Sequence, residues 1–144
     1  MQTYLTQTRH LLEMLAASFG VWFAAGNLLL LSAGGSPLYW VGWSPETQAD
    51  AMLAILAAAV LHVVGINVNG AWRWSPLLRL IGIATHALAV TYLCAAILWQ
   101  PTGAHGVPSG FVTYSFISLL LWLLALGAYR DLLRSLAIWR LRHG

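Results

Sequence analysis

The stretch Ile66-Asn67-Val68-Asn69-Gly70-Ala71-Trp72-Arg73-Trp74-Ser75-Pro76-Leu77-Leu78-Arg79 lies between two long apolar runs. Asn69-Gly70 is a turn dipeptide, because Gly takes φ > 0 without steric cost and Asn tolerates it. Ser75-Pro76 reads as a helix N-cap followed by proline at the first helical position, where the missing N–H costs nothing. Trp72 and Trp74 are amphipathic rings of the kind that favour the headgroup layer of a bilayer. One membrane helix is therefore expected to end here, the chain to turn at the surface, and a second helix to begin.

Composition supports this reading. The chain has 144 residues, 60% of them hydrophobic and 8% charged, and its mean hydropathy is +0.74. Soluble domains carry about 25% charged residues. All seven basic residues are arginine, and the acids are Glu13, Glu46, Asp50 and Asp131. The net charge of +3 comes without a basic patch interleaved with aromatics, so nucleic acid is not an expected partner. Cys94 is the single cysteine, which excludes a disulfide framework.

Working outward, four spans are expected, at about 11–31, 48–68, 76–99 and 111–129, followed by a basic tail at 130–144. Each approaches the ~20 residues that a hydrocarbon core requires. The apolar run Met14–Leu31 is longer than the core of a typical signal peptide and is expected to be retained as a helix. The second helix opens at Ser44-Pro45-Glu46-Thr47, where Glu46 suits the positive end of the helix dipole, and enters lipid near Ala51. Between the first two spans, Ala33-Gly34-Gly35-Ser36-Pro37 with Tyr39, Trp40 and Trp43 reads as turn residues and an interfacial aromatic belt. Gln100 to Gly110 carries every loop signal.

With four spans, Arg9, Arg73, Arg79 and the tail residues Arg130, Arg134, Arg140 and Arg142 fall on one side, and the opposite loops hold no arginine. The positive-inside rule then places both termini and the Asn69-Gly70 turn in the cytoplasm. The fold class expected is an all-α integral membrane four-helix bundle with an amphipathic C-terminal helix, either extending the fourth span or lying in the interface. Small residues at Ala16, Gly20 and Ala24 on the first helix, at Ala54, Ala58 and Gly65 on the second, and at Gly82 on the third are expected to be packing faces. Asn27 is expected to bond across to a neighbouring helix.

His62 and His86 are ionisable groups at membrane depth, which makes them functional candidates. One reading is a b-type haem with both as axial ligands. Against it stands a depth difference of about 9 Å, counted along the two helices from Ala71 at 1.5 Å per residue. The plainer reading has each histidine bonded to a neighbouring carbonyl or hydroxyl, with Thr85 and Asn67 as local candidates. A proton path would need a carboxylate at depth; Glu13 at the edge of the first span does not supply one. No His/Cys/carboxylate spacing suggests a metal. No catalytic constellation is found either: Ser115 and Ser118 are expected to bond their own i−4 carbonyls, and His105 has no acid beside it. Arg73, Arg79, Trp72, Trp74 and the tail arginines are the candidate contacts for anionic lipid or a partner, with snorkelling arginines that only set topology as the plainer alternative.

The segment Asn69-Gly70-Ala71-Trp72-Arg73-Trp74-Ser75-Pro76-Leu77-Leu78-Arg79 resembles a turn in small membrane proteins of tailed phages and prophages, in which an Asn-Gly turn, an arginine, Ser-Pro and a second arginine follow in order. Some such proteins of this size are holins, and the basic C-terminal tail is similar to theirs. The resemblance implies a non-enzymatic protein of the inner membrane that acts by assembly, as a homo-oligomer or with other membrane subunits, without cofactor or soluble substrate. Holins share no catalytic motif, so no functional residue carries over. The abundant tryptophan and the long outer loop depart from the pattern and point to a stable packed bundle.

Overall fold

A computed structural model describes residues 2–35, 43–69, 72, 74–99 and 109–143, apart from the side chains at 2–6, 109–110 and 142–143. Its four helices are α1 (Gln2–Ser32), α2 (Pro45–Asn67), α3 (Ser75–Leu98) and α4 (Ser109–His143). Each is long and apolar enough to cross a membrane. The protein is an all-α four-helix membrane bundle.

Local chemistry sets the helix ends. Ala33-Gly34-Gly35 closes α1 as a Schellman motif. Gly34 sits at φ 80°, its N–H donates to Leu31 O at 3.0 Å, and Gly35 N–H donates to Leu30 O at 2.9 Å. Ser44 caps α2 as the sequence predicts: its Oγ accepts from Thr47 N–H at 3.2 Å, with Pro45 next in the chain. Ser44→Ala is expected to cost about 1 kcal/mol, seen as a lower Tm in detergent.

The matching expectation at Ser75 is corrected. Trp74 occupies the cap position of α3, and its side chain makes no capping hydrogen bond. Ser75 lies inside the helix, buried, and its hydroxyl donates to Trp72 O at 2.8 Å. Gly70, Ala71 and Arg73 lie outside the described residues, as do the loops at 36–42 and 100–108.

The outer helices run past the expected spans. α1 has 31 residues and α4 has 35, or about 46 and 52 Å, against a hydrocarbon core of about 30 Å. The expected boundary at 129/130 does not exist as a break: the basic tail is the continuation of α4. The helix does not stop at Arg130-Asp131, because Asp131 is paired within the bundle.

α3 is central. Ile83, Ala87, Val90 and Cys94 pack with Leu121, Leu124, Ala125 and Ala128 of α4 and with Ala16 of α1. On another side Leu93 and Ile97 pack with Met52 and Ile55 of α2 and Ala24 of α1. Ala16, Gly20, Ala24, Ala58, Gly65 and Gly82 are buried as expected, but Ala54 is exposed. Asn27 does not bond across helices either; its amide donates to Phe23 O of its own helix at 2.7 Å.

The distribution of side chains is that of a protein in lipid. The interior holds alanines together with Glu13, Gln48, His62, Ser75, Arg79, His86 and Ser118. Large apolar groups cover the outside of every helix, including Trp22, Leu53, Leu88, Tyr92, Phe116 and Leu126. Such a surface is stable against hydrocarbon, and close approach of small residues then supplies the packing.

Candidate functional site

Two polar groupings occupy the interior, one above the other along α3. The first gathers residues from three helices. Arg79, on the first turns of α3, donates from Nε to Glu13 Oε2 at 2.8 Å and from Nη2 to Glu13 Oε1. Its Nη1 donates to Asp131 Oδ2 of α4 at 3.0 Å. Arg9, one turn before Glu13, reaches Glu13 Oε1 at 3.1 Å and Asp131 Oδ2 at 2.8 Å. Gly127 leaves room for the Arg9 guanidinium to lie across α4, since a Cβ there would fall 3.0 Å from Cζ.

Two arginines and two carboxylates cancel. The chain's net +3 therefore comes wholly from the other five arginines set against Glu46 and Asp50. Glu13 is fully buried, and both of its oxygens accept charge-assisted hydrogen bonds, the geometry that lets a carboxylate remain ionised away from water. Arg79 is thus neither a lipid contact nor a snorkelling arginine; it is the hub of an interior network. Glu13, at the edge of the first span by sequence, is instead the buried acceptor of this network, which no local sequence signal marks.

The second grouping is the histidine pair. His62 and His86 are 0% and 1% exposed, and their Nδ1 atoms stand 3.3 Å apart, with the rings inclined at 63°. The expected depth mismatch does not keep them apart. Gly82 of α3 lies level with His62, where a Cβ would fall 2.8 Å from His62 Cα, so His86 is one turn further along. A helical Cα–Cβ bond leans toward its own N-terminus, and α2 and α3 run in opposite directions. The two side chains therefore lean toward each other and close that turn.

Thr85 and Asn67 are not their partners. Thr85 bonds Ile81 O and Gly82 O, and Asn67 bonds Val63 O. Ser118 is also corrected: its hydroxyl meets Thr91 Oγ1 of α3 at 2.7 Å, and Trp122 Nε1 donates to the same Thr91 oxygen at 3.1 Å.

A haem on His62 and His86 does not fit this geometry. The ring atoms that face each other are at hydrogen-bond distance, whereas axial ligation places an iron and its macrocycle between two ligand atoms. Among the described residues no slot for a macrocycle lies between the two rings. Gly82 and Gly65 bring α2 and α3 into backbone contact at the level of His62 and one turn nearer the α2–α3 turn, with a Cβ on Gly65 falling 2.7 Å from Arg79 Cα. Nor do three or more His, Cys, Asp or Glu side chains converge on a metal position among the described residues.

A neutral imidazole has one N–H and one bare nitrogen. A hydrogen bond between two Nδ1 atoms therefore requires opposite tautomers: one ring carries its hydrogen on Nδ1, the other on Nε2. Both Nε2 atoms are buried and without a hydrogen-bond partner among the described residues. One is a bare acceptor and the other an N–H donor. His86 Nε2 abuts Gly20, where a Cβ would collide with it. His86 also borders a void of about 10 Å³ walled by Gly20, Phe23, Ile55, Val90 and Tyr114, whose exposed walls are apolar.

Of the remaining candidates, Trp72 and Trp74 are half-exposed. Arg130, Arg134 and Arg140 are exposed on α4 and take part in no ion pair among the described residues. Arg73 and the side chain of Arg142 lie outside the described part. Comparison of the chain with protein-family models, with curated proteins and with solved structures gives no match.

Proposed function

We propose that this protein is non-enzymatic and works by assembly in a bacterial inner membrane, either as a subunit of a larger complex or as a holin-like oligomer. In this reading both termini and the α2–α3 turn are cytoplasmic, as the arginine distribution requires. The observation that carries it is the far end of α4. A helix of 35 residues is about 20 Å longer than the hydrocarbon it crosses, and its last turns present Arg130, Arg134 and Arg140 unpaired. The charges of the interior are consumed in internal pairs, whereas these are available to an acidic partner surface or to the same helix in neighbouring copies through its apolar side. Half-exposed Trp72 and Trp74 on the same side favour a second reading, in which this end contacts anionic lipid as a regulatory module.

The test is the mass of the particle extracted from membranes in lipid nanodiscs without detergent. An assembly larger than one chain is expected, and the triple substitution Arg130→Glu, Arg134→Glu, Arg140→Glu is expected to disperse it while leaving the melting profile unchanged. A single chain in the wild-type particle would sink the proposal. Loss of anionic over zwitterionic lipid among the lipids that co-purify with the triple variant, with particle mass unchanged, would select the lipid reading. Depolarisation of expressing cells would separate the holin-like oligomer from a subunit of a larger complex.

A further inference from the structure

We infer that His62 and His86 form a two-ring proton relay in the interior of the bundle, carrying protons between the outer Nε2 of one ring and the outer Nε2 of the other. Two observations converge on it. The rings are joined Nδ1 to Nδ1 at 3.3 Å, so a hydrogen can pass directly between them. Both outer nitrogens are fully buried and unpartnered, one as donor and one as acceptor, which are the two free ends that a relay requires. A buried polar atom without a partner is costly in a folded protein and calls for an explanation; here two such atoms bracket a single hydrogen bond.

The transfer balances. A proton binds the bare Nε2 of the ring whose Nδ1 bears hydrogen. That ring passes its Nδ1 hydrogen to the bare Nδ1 of the other ring, and the second ring releases the hydrogen on its own Nε2. Two N–H bonds form and two break, one proton is carried across, and both rings end neutral with their tautomers exchanged. Turning a ring moves no hydrogen between its two nitrogens, so the original tautomers return only when, with the Nδ1–Nδ1 bond open, each ring takes a proton on its bare nitrogen and releases the one on its other nitrogen.

The surroundings suit a relay more than a fixed charge. α1 offers Gly20 to His86, and its Glu13 lies two turns away in the ion-pair network. α2 contributes Ile55 to the void, α3 carries Arg79 two turns before His86, and α4 contributes Tyr114 and Ile117. Arg79 is matched by Glu13 and Asp131, so the nearest cation is already neutralised. The absence of a carboxylate bonded to either ring leaves neither one locked in a single tautomer.

The experiment uses the full-length protein in phosphatidylethanolamine–phosphatidylglycerol vesicles. A pH-sensitive dye is trapped inside and a potassium diffusion potential drives proton entry. Wild type is expected to admit protons faster than protein-free vesicles while retaining co-trapped carboxyfluorescein. His62→Gln and His86→Gln are each expected to return entry to the protein-free rate. Gly20→Ala, which sets a methyl against His86 Nε2, is expected to do the same without altering a histidine.

Entry no faster than in protein-free vesicles, or unchanged in the variants, overturns the relay. Entry with equal leakage of the dye also overturns it, since that belongs to an assembled lesion and leaves the assembly reading standing. If the variants fail to fold, ¹⁵N spectra of histidine-labelled wild type decide: unlike tautomers support the relay, and two rings in the same tautomer overturn it.

Discussion

Replacing Glu13 by Gln is expected to cost roughly 3–5 kcal/mol, the penalty for removing one partner of a buried ion pair and leaving the other uncompensated. Arg79, buried on α3, would keep its charge but face an uncharged amide with one acceptor oxygen in place of two, leaving Asp131 at the half-exposed edge as its only carboxylate. Set against the ~5–15 kcal/mol that holds a typical domain together, the loss should leave little monodisperse protein after extraction. Arg79→Gln is expected to be as damaging, because it strands a fully buried carboxylate with only Arg9 beside it. The double variant Glu13→Gln, Arg79→Gln should recover much of the loss, since a neutral amide pair in the same place leaves no naked charge and exchanging a whole buried ion pair is often close to neutral. Asp131→Asn should cost far less: its side chain is 35% exposed, and exposed pairs contribute about 0–1 kcal/mol. Thermal melts of the four proteins in one detergent check the ordering. A Glu13→Gln protein as stable as wild type would show that the network adds nothing to the fold.

The second large effect is expected at the α2–α3 contact. A methyl on Gly82 would meet Leu61 O at 2.7 Å and His62 Cα at 2.8 Å, and one on Gly65 would meet Arg79 Cα at 2.7 Å. These neighbours are backbone atoms and cannot swing aside, so the helices must separate. Gly82→Ala and Gly65→Ala are each expected to destabilise by about 1–3 kcal/mol, the usual range for overpacking, and Gly82→Leu to prevent folding. Gly26→Ala is the control: nothing lies within 4 Å of its added methyl, so the better helix propensity of alanine, up to about 1 kcal/mol, should raise the Tm. If Gly82→Ala behaved like Gly26→Ala, the close approach of α2 and α3 would be wrong, and the geometry of the histidine pair with it.

The four helices were legible because hydropathy and breaker residues act locally. Ser44-Pro45 announces α2 and does cap it. Ser75-Pro76 has the same letters but not the same cap, because the turn before it draws the Ser75 hydroxyl back to Trp72 O. Ala54 illustrates a limit of counting. A stripe at Ala54, Ala58 and His62 has a strict spacing of four, which drifts about 40° per step around a helix of 3.6 residues per turn. The buried face of α2 instead follows Met52, Ile55, Ala59, His62 and Ile66, alternating three and four.

Of the interior chemistry, the two histidines could be picked out as rare residues at depth, but their contact could not. Counting Cα heights omits the lean of the side chains, which is what closes the gap. Glu13 was out of reach for a different reason: its main partner is 66 residues away, and nothing in the neighbourhood of Glu13 distinguishes a carboxylate at a membrane edge from one at the centre of a network. Charge counting by side grouped Arg9 and Arg79 correctly at one end, yet could not tell inward from outward.

The same network sets a timetable for biosynthesis. Ribosomes add roughly 5–20 residues per second, so Glu13 is made roughly 3–13 s before Arg79, 66 residues later. Asp131 follows after a further 52 residues, or roughly 3–10 s. During that interval α1 reaches the membrane carrying a carboxylate whose partner on α3 does not yet exist. Arg9, four residues upstream and paired with Glu13 in the finished fold, is available from the start. The i,i+4 spacing lets it pair with Glu13 on the newborn helix before α3 is made, as it does in the finished fold.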